Sequence, residues 1–557
     1  MKLRNSNIEQ LRSENFDVLI VGGGINGAVS AAALVARGAR VALIDARDFA
    51  GFTSQQSSNL VWGGIKYMES YEFGLVAGLC KSRNELLRSF PSTVKEIRFL
   101  TTVSKGFRFH PLVMLAGTWL YWLFGRGKTR IPKLLSKTQI AEQEPLINSQ
   151  DSLGGVEYSD AYLHDNDARF VFNFIRSAMD KGCVAANYIK SIGATRDDSG
   201  HWTTAVEDQV SGERFKIRSK LLINAAGAFV DQHNQLSGVE TEYSHLFSKG
   251  IHLVVPRISS NDRVLAFFAD DGRLFFAIPM GGKTCIGTTD TRVQEPHIQV
   301  TEEDRDFVLS NINAQLNLPR PLTRDDVIAE RCGVRPLAIK KGEDSETDFL
   351  QLSRKHVVET AFDEGHLSIF GGKLTDCLNV GDEVCDRVSE LGVRLTKFQP
   401  STQQDKWYGE PAEPIRVAYF ARAKALGLDE IKAVDTEERL SQRLWRRYAS
   451  HADAMLDAIE KDPSQSDSLI ENGGIRRCEL EHLAQSELIT KLEDFLRRRS
   501  KIELLFSQEE LKQSKGLFVA CETLFGEDAQ ARFDEYFLTN NPDQTVEHGQ
   551  SFLKRFQ

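Results

Sequence analysis

The chain has 557 residues, enough to bury several hydrophobic cores, so roughly two to four domains are expected. Its formal net charge of −9 argues against nucleic acid as the main partner, because no basic stripe dominates. Eight cysteines form no C-x-x-C pair and no regular framework, which indicates reduced thiols in a cytosolic or cytosol-facing protein. The N-terminal residues lack an apolar run, so no secretory signal is predicted.

The first predicted unit is a strand, a glycine turn, a helix and a second strand over residues 16–46. Gly22, Gly24 and Gly27 have the G-x-G-x-x-G spacing. The first glycine allows a tight turn, the second lets a pyrophosphate approach the backbone, and the third lets helix and strand pack closely. The diphosphate would bind the free N–H groups at the helix N-terminus. Asp45 follows the second strand, where a carboxylate accepts hydrogen bonds from an adenosine ribose. The unit predicts a nucleotide site; the alternative is a tight turn that binds nothing.

An apolar run with aromatic residues extends from Pro111 to Gly125 and is followed by Arg126, Lys128 and Arg130. It is too short to span a bilayer, which needs about 20 residues. Interfacial aromatics and flanking cations favour a monotopic membrane contact. The alternative interpretation is a buried helix of a cap domain.

The middle of the chain mixes helix and strand patterns. Residues 167–181 predict a helix, and the alternation over 202–217 predicts a small antiparallel meander followed by a buried strand at 220–227. Four β-rich runs between 251 and 286 predict a mostly antiparallel sheet in a second domain. Residues 367–375 return to strand, glycine turn and helix start.

Helical patterns dominate after Pro400, which predicts an α-helical C-terminal domain. The patterns cover 413–428, 437–460, 478–499 and 507–525. Charged runs in this region, such as Arg497–Lys501, are interpreted as solvated surface.

The segment after the second strand separates FAD from NAD. An NAD domain would continue with helix and strand, whereas residues 47–67 form a polar, Gly-containing strip able to lie against a flat ring. With the glycine turn, this strip resembles the FAD-dependent glycerol-3-phosphate dehydrogenase family. Further blocks resemble the family in the same order: KGIHLVVPR (249–257), FFAIPMGGKTCIGTTD (275–290), CGVRPL (332–337) and FGGKLT (370–375).

The resemblance implies an α/β fold with a Rossmann-like FAD-binding domain of the glutathione-reductase type, an antiparallel-sheet substrate cap and an α-helical C-terminal domain. The implied FAD domain is discontinuous, over 12–78, 150–235 and 328–395. The cap takes 79–149 and 236–327, and the helical domain takes 400–557.

The resemblance also implies which residues contact FAD. Besides Lys373, these are Gly22, Gly24, Gly27, Asp45, Thr53, Ser54, Ser58, Leu60, Gly63, Gly64, Ala226, Gly227, Gly372 and Leu374. The glycine turn and Asp45 are supported by spacing alone; the assignments from Thr53 to Gly64 depend on the family.

Three residues are candidates for the chemistry of a flavin dehydrogenase, which removes a hydroxyl proton while carbon delivers hydride. His252 is the candidate base, since an imidazole can hold a proton near neutral pH. Arg335 resembles the substrate arginine, whose rigid fork binds phosphate or a developing alkoxide. Lys373 would stabilise an anionic reduced flavin or a substrate phosphate. The structural alternatives are a core histidine and a buried arginine that satisfies loop carbonyls.

Lys66, Tyr67 and Thr289 are the predicted substrate-binding residues. Three departures from the family's pattern weaken the case for a phosphate substrate. The family commonly has Lys and His where this chain has Asn59 and Trp62, and Arg where Lys66 stands. Residues 376–379 (Asp-Cys-Leu-Asn) replace Thr-Tyr-Arg-Lys and remove two cations.

The expected function is oxidation of sn-glycerol 3-phosphate to dihydroxyacetone phosphate, with electrons passed to a quinone at the inner face of the cytoplasmic membrane. One alternative keeps the fold but acts on another small hydroxy or amine substrate. The other is an FAD-bound scaffold with a degenerate site. No metal is expected, because no histidine pair or Cys/His cluster has ligand spacing. The residues carry no signal for oligomeric state.

Overall fold

Two sheets and a group of helices make up the part of the chain that the computed structural model describes, which is residues 2–268, 273–342, 355–396, 406–432 and 438–539. The chain divides into two units, Ile8–Ala412 and a second that combines Met1–Asn7 with Glu413–Gln557. The strands are β1 (Asn15–Val21), β2 (Val41–Ile44), β3 (Leu60–Val61), β4 (Val94–Ser104), β5 (Lys133–Leu135), β6 (Ser152–Leu163), β7 (Val184–Ala186), β8 (Ile189–Arg196), β9 (Trp202–Asp208), β10 (Arg214–Asn224), β11 (Tyr243–Pro256), β12 (Arg263–Phe268), β13 (Leu274–Met280), β14 (Lys283–Gly287), β15 (Thr291–Val293), β16 (Ala329–Lys340), β17 (His356–Ala361) and β18 (His366–Gly371). The α-helices are α1 (Lys2–Ser13), α2 (Ile25–Val35), α3 (Phe73–Ser89), α4 (Pro111–Phe124), α5 (Lys137–Gln143), α6 (Asp167–Met179), α7 (Val230–Leu236), α8 (Glu302–Gln315), α9 (Cys377–Glu390), α10 (Glu413–Ala425), α11 (Leu440–Tyr448), α12 (Ala452–Lys461), α13 (Arg477–Ser486), α14 (Gln508–Gln513), α15 (Lys515–Phe525) and α16 (Ala529–Thr539).

The first sheet has eight strands and a parallel centre. Its strand order is β17-β18-β10-β1-β2-β7, with β8 and β9 continuing from β10 as an antiparallel meander. β1 pairs in parallel with both β2 and β10, and β10 pairs in parallel with β18. β1 and β2 are buried along nearly their whole length, as expected for parallel strands covered on both faces. The predicted meander and the buried strand after it are confirmed, except that one strand, β10, joins them.

The second sheet has ten strands and is mostly antiparallel, as predicted. Its order is β15-β11-β14-β13-β12-β4-β6-β3, with β16 on β11 and β5 on β6. Among the described strands of this second sheet, only the pair β12 and β4 is parallel. One face packs against α8 around Ile251, Leu253 and Ile286. On the other face, Phe276 and Cys285 pack with residues 53–67, the later part of the strip.

Helices α10–α16 belong to the C-terminal unit, and their core includes Tyr419, Leu444 and Trp445. Two predicted helices are broken in the structure. Ala449 has φ +53° between α11 and α12, and Leu488 has φ +55° after α13. A backbone in the left-handed region cannot continue a right-handed helix, so each residue ends one. A π-helical turn, Asp494–Arg499, follows the second break. Residue 437 of one predicted pattern lies outside the described residues.

The prediction that the charged run at 497–501 is solvated is wrong for its three arginines. Arg497, Arg498 and Arg499 are 3%, 2% and 0% exposed. Arg498 donates to Asp494 at 2.6 Å, and Arg499 donates to the Glu487 carbonyl at 2.9 Å. Arg498 thus finds its carboxylate within the π-helical turn and Arg499 finds its carbonyl before the break, which a local run of charge does not reveal.

The apolar run at 111–125 forms α4, and neither interpretation covers the whole helix. Pro111, Thr118 and Tyr121 are buried, whereas Leu112 and Leu123 are 58% and 59% exposed. Within the described residues, no helix combines the length and the apolar character needed to cross a bilayer.

Candidate active site

Four loops that the sequence assigns to FAD meet at one edge of the first sheet. Because β1, β2, β10 and β18 are parallel, their carboxyl ends lie together, and ligands of open α/β sheets bind at this edge. The loops hold Gly22–Gly27 after β1, Asp45 after β2, Ala226–Gly227 after β10 and Gly372–Leu374 after β18. Asn26 Nδ2 donates to the Gly371 carbonyl at 3.0 Å and joins the first of these loops to the last.

Two glycines of the first turn are required by the packing of the chain itself. Gly22 has φ +107°, and a Cβ there would lie 2.4 Å from the Ala225 carbonyl oxygen. A Cβ on Gly27 would lie 1.8 Å from the Gly22 carbonyl oxygen, so helix α2 could not approach the turn. At Gly24 a Cβ would meet only Ser54 Oγ, at 3.3 Å. The space beside Gly24 is therefore bounded by the strip rather than by the turn.

Asp45 holds the glycine turn through both carboxylate oxygens. Oδ2 accepts from the Gly23 N–H at 2.7 Å, and Oδ1 accepts from the Arg47 N–H at 2.8 Å. Burial raises the pKa of Asp45 to about 6, against the lowering effect of these backbone hydrogen bonds. Ser54 Oγ accepts from the Ile25 N–H at 3.0 Å, at the start of α2. The strip therefore already contacts the helix end expected to hold the diphosphate.

The later part of the strip, residues 53–67, contacts the second sheet. Thr53 Oγ1 donates to the Val334 carbonyl at 2.8 Å, and Leu60 lies in β3, which pairs with β6. Gly64 has φ +78°, which a residue with a Cβ rarely adopts. Ser58 and Leu60 are half-buried, while Gly63 and Gly64 are buried.

A buried charge cluster supports the strip from behind. The Gly63 N–H donates to both oxygens of Asp160, at 3.2 and 3.3 Å. Tyr121 donates to Asp160 at 2.5 Å, and Arg83 donates to it at 3.3 Å. A Cβ on Gly63 would lie 2.2 Å from the Tyr121 hydroxyl. The apolar helix α4 is thus tied to the strip through Tyr121.

His252 lies on β11, on the face of the second sheet that the strip covers. Its side chain is buried, and among the described residues neither ring nitrogen has a hydrogen-bond partner. Burial, together with the charges of Arg331 and Arg335, lowers the pKa of His252 to about 3. The imidazole is therefore neutral, and an anion bound beside the two arginines would raise its pKa and so make it a better proton acceptor.

Arg335 and Thr289 lie close to His252. Arg335 Nη2 donates to Thr288 Oγ1 at 3.1 Å, and Nη1 lies 3.4 Å from an Asp290 carboxylate oxygen. Its guanidinium fills the space above Gly250, where a Cβ would lie 2.3 Å from it. The hydroxyl of Thr289 accepts from the Ile251 N–H at 3.1 Å, so it fixes β11.

Lys373 and Tyr67 meet from opposite ends of the site. Lys373 precedes a 3₁₀ turn, Leu374–Asp376, that leads into α9. Its ammonium donates to the Tyr67 hydroxyl at 2.7 Å. Lys66 is half-buried on the same short turn as Tyr67, Ile65–Met68. The structure therefore brings the predicted residues into two groups, one around His252 and one around Lys373.

The departure at 376–379 has a structural partner. The two ring nitrogens of His356 face carboxylates: Asp376 lies 2.7 Å from Nδ1, and Glu383 lies 2.9 Å from Nε2. Asn379 Nδ2 donates to Asp376 at 2.6 Å. The residues that replace the family's cations thus belong to a hydrogen-bonded cluster beside Gly372, whose Cβ position is 3.5 Å from His356 Cβ.

Sequence reasoning missed Arg331, Asp160 and His356. Arg331 stands four residues before Arg335 on β16 and is 1% exposed. A signal was available for it, because residues two and four apart on a strand share a face. Asp160 and His356 lie outside every motif block, and only the tertiary structure brings them to the site.

The described residues fit FAD on two observations. Gly227 has φ +59°, and a Cβ there would meet nothing within 4 Å, which leaves open space at the sheet edge. Asn26 Oδ1 is buried without a hydrogen-bond partner among the described residues and lies 3.3 Å from the Cβ position of Gly372. Within the described ranges, no group of three His, Cys, Asp or Glu side chains could hold a metal ion.

Comparisons with known proteins agree on the family. A model described as FAD dependent oxidoreductase matches residues 17–375. An aerobic glycerol-3-phosphate dehydrogenase of Staphylococcus epidermidis is 31% identical over 505 residues, 88% of each chain, and one of Staphylococcus haemolyticus is 31% identical over 92% of this chain and 91% of its own. The crystal structure of glycerol-3-phosphate dehydrogenase from Bacillus halodurans complexed with FAD is 25% identical, covers 96% of both chains and has a TM-score of 0.70. The L-α-glycerophosphate oxidase of Mycoplasma pneumoniae, with FAD bound, shares the fold at a TM-score of 0.52, 18% identity and coverage of 71% of this chain and 98% of its own.

Proposed function

The chain belongs to the FAD-dependent oxidoreductases and, within them, to the glycerol-3-phosphate dehydrogenase family, and from this premise we propose that it oxidises sn-glycerol 3-phosphate to dihydroxyacetone phosphate. FAD is its cofactor. The observation that carries the substrate assignment is the buried imidazole of His252, whose two nitrogens have no partner among the described residues. Two arginines flank it, so the site offers a proton acceptor beside positive charge.

The proposed reaction divides its tasks among few side chains. Bound FAD supplies the acceptor for the hydride that leaves C2 of the substrate. His252 takes the proton of the C2 hydroxyl as the C2–O bond becomes a carbonyl. C2 thereby loses a hydride, which carries two electrons and one proton, and the hydroxyl oxygen loses the second proton. Arg335 binds an anionic oxygen of the substrate, and Lys373 stabilises negative charge near the flavin. Tyr67 positions the Lys373 ammonium through the hydrogen bond described above.

The proposed FAD contacts follow the same geometry. Gly22, Gly24 and Gly27 would receive the diphosphate, and Asp45 would accept from the ribose. The remaining proposed contacts are Thr53, Ser54, Ser58, Leu60, Gly63, Gly64, Ala226, Gly227, Gly372 and Leu374. The four strand-end loops that hold Gly22–Gly27, Asp45, Ala226–Gly227 and Gly372–Leu374 meet at one sheet edge, which supports assigning these residues to one ligand.

We further propose that α4 rests on a lipid bilayer and that the electron acceptor is a quinone dissolved there. Five apolar side chains of α4 are at least 39% exposed: Leu112, Val113, Trp119, Leu120 and Leu123. Phe73 extends this face, with its ring 6.0 Å from that of Phe124. The exposed Arg126, Lys128 and Arg130 follow at once, and such cations favour anionic headgroups.

The test of the proposed reaction is anaerobic reduction of the purified holoenzyme. Addition of sn-glycerol 3-phosphate should bleach the flavin absorbance, and dihydroxyacetone phosphate should form in equal amount. A His252→Gln variant should retain FAD but bleach at least about a hundredfold more slowly, since a positioned base contributes about 10²–10⁴. Bleaching only by other alcohols or by amines would replace the substrate, and no bleaching by any donor would indicate an FAD-bound scaffold.

A further inference from the structure

A second arginine shares the sheet face of His252. Arg331 lies directly opposite His252 in the antiparallel ladder of β11 and β16, and Arg335 lies opposite Ser248 in the same ladder. Side chains that alternate along a strand share a face, so Arg331, Arg335 and His252 point to the same side of the sheet. Gly250 and Gly333 oppose each other between these groups and leave room for two side chains: the Arg335 guanidinium lies 2.3 Å from the Cβ position of Gly250, and Gln56 Cβ lies 2.8 Å from that of Gly333.

The guanidinium of Arg331 is buried, and no carboxylate of the described residues compensates its charge. Nη1 donates to the Ser57 carbonyl and, at 2.7 Å, to Asn59 Oδ1. In the part of the chain that the structure describes, Nε and Nη2 have no hydrogen-bond partner and no carboxylate forms an ion pair with Arg331. Arg98 shows the usual arrangement, since it is also buried but pairs with Glu157 at 2.7 Å. A buried cation without a counterion is costly unless a bound anion supplies the missing charge.

Four buried nitrogens on this face thus have no hydrogen-bond partner in the described ranges: Nε and Nη2 of Arg331, and Nδ1 and Nε2 of His252. From this juxtaposition we propose that Arg331 is a further substrate-binding residue, which holds the phosphate monoester of the substrate beside His252 and so determines specificity for a phosphorylated alcohol. The inference deepens the proposed function and rests on it for the identity of the alcohol. The anion site itself depends only on the geometry of Arg331.

The contact with Asn59 connects this arginine to a departure noted in the sequence. At position 59 the chain has a neutral amide where the family commonly has a lysine. Asn59 is 4% exposed, and its Oδ1 accepts a hydrogen bond from Arg331 Nη1. The amide therefore orients the Arg331 guanidinium. Arg331 of β16 therefore provides the positive charge that the strip lacks at position 59, and Asn59 is the residue that positions it.

An anionic oxygen on this face has two possible sources, the substrate phosphate and the reduced flavin. The experiment separates them with two titrations of the oxidised holoenzyme, each followed by flavin absorbance. Inorganic phosphate reports the substrate site, and sulfite, which adds to the flavin ring, reports positive charge close to the ring. A third readout compares KM for glycerol 3-phosphate with kcat.

We expect Arg331→Met to raise the dissociation constant of inorganic phosphate and the KM on the order of 10- to 100-fold, the range for loss of charge-assisted hydrogen bonds. The effect on kcat and on sulfite affinity should be less than about threefold. Arg331→Lys should recover part of the phosphate affinity, because lysine keeps the charge but loses the fork. Arg443→Met removes another buried arginine, two of whose nitrogens have no hydrogen-bond partner among the described residues, and it should leave phosphate affinity unchanged.

Asn59→Asp tests the site without removing the arginine. Asn59 has φ +61°, which aspartate tolerates as well as asparagine does, so the backbone should be retained. The new carboxylate would neutralise Arg331 and raise the dissociation constant of phosphate about tenfold. Wild-type phosphate affinity in both Arg331→Met and Asn59→Asp, or loss of sulfite affinity alone, would overturn the proposal. If wild-type enzyme is not reduced by glycerol 3-phosphate but Arg331→Met still loses phosphate binding, the proposed function fails and the anion site stands.

Discussion

The ammonium of Lys373 lies 3.8 Å from the centre of the Tyr67 ring as well as within hydrogen-bond distance of its hydroxyl. The two residues come from the loop after β18 and from the end of the strip, so the pair closes the site between the two sheets. The Trp62 ring lies 6.2 Å from the Tyr67 ring, and the backbone carbonyl of Trp62 accepts a hydrogen bond from Thr375 Oγ1 at 3.2 Å. The loop and the strip are therefore in contact at Lys373 and again at Thr375.

Variants of this pair should separate charge from position. Lys373→Met should slow anaerobic flavin reduction about 10²- to 10³-fold, the effect of removing one group that stabilises developing charge. Tyr67→Phe keeps the ring beneath the ammonium and loses one hydrogen bond, so the slowing should stay below about tenfold. Stopped-flow bleaching at saturating substrate measures both rates. Equal effects of the two substitutions would mean that the hydroxyl, and not the charge, carries the function.

The local parts of the fold could be predicted because their causes are local. The second strand predicted within residues 16–46 is observed as β2, and Gly27 is required by the carbonyl of Gly22 in the same turn. The strip after β2 was predicted from its composition, since polar, Gly-containing chain is unsuited to another buried helix. For β2 and for Gly27, the residues that decide the local structure are neighbours in sequence.

The parts that could not be predicted depend on partners distant in sequence. Arg331 meets His252 only through the register of β11 with β16, and the buried Arg499 meets its acceptor, the Glu487 carbonyl, only because the helix is interrupted at Leu488. Asp160 receives its hydrogen bonds from Gly63, Arg83 and Tyr121, which belong to three separate segments. Periodicity reports which side of an element is apolar, but not which polar groups another element brings to it.

Gly27→Ala should abolish FAD binding or prevent folding. The added Cβ would lie 1.8 Å from the Gly22 carbonyl oxygen, a contact that only displacement of the turn can relieve. Gly78→Ala is the matched control, because Gly78 lies inside α3 and an added Cβ would meet nothing within 4 Å. It should stabilise the protein by about 0.5–1 kcal/mol. FAD content after purification and thermal unfolding measure both outcomes, and a Gly27→Ala protein with full FAD content would contradict the steric argument.

His356 should make the stability of the loop at 372–376 depend on pH. Although burial opposes its charged form, hydrogen bonds to Asp376 and Glu383 raise the pKa of His356 to about 9. Because the folded pKa exceeds the unfolded value of about 6.5, the stabilisation is fully present below pH 6.5 and is lost as the pH rises through 9. It amounts to at most about 3 kcal/mol.

The measurement is the temperature of FAD release at pH 6 and pH 9.5, for wild type and His356→Gln. The difference between the two proteins should be largest at pH 6 and should shrink at pH 9.5. His201→Gln is the control, since His201 lies on an exposed turn and forms its hydrogen bond with Ser199. A difference that grows with pH would show that His356 is neutral in the folded protein.

Asp160→Asn should destabilise the strip more than Tyr121→Phe does. The amide keeps the size of the side chain but leaves the buried Arg83 without its counterion, at a cost of about 3–5 kcal/mol. Tyr121→Phe removes one hydroxyl that donates to Asp160, at about 1–1.5 kcal/mol. Urea unfolding followed by flavin fluorescence orders the two variants. The reverse order would show that the hydroxyl, and not the ion pair, supports Gly63.

The exposed face of α4 should control binding to lipid vesicles. Leu120→Ser and Leu123→Ser remove apolar area from this face, and each should weaken partitioning about tenfold or more, because burying a leucine side chain contributes about 1.5–3 kcal/mol. Leu236→Ser is the matched control, since Leu236 is 52% exposed at the end of α7. Co-sedimentation with vesicles measures the partition coefficient of each protein.

The cations after α4 should matter only for anionic vesicles. Arg126→Gln and Lys128→Gln should each weaken binding to vesicles that contain phosphatidylserine by about 1 kcal/mol, and should leave binding to neutral vesicles unchanged. High salt should reduce the first effect, because screening shortens the reach of headgroup charge. If wild type and the variants at Leu120, Leu123, Arg126 and Lys128 all sediment equally with vesicles, the apolar face does not contact lipid. The quinone assignment then loses its structural support.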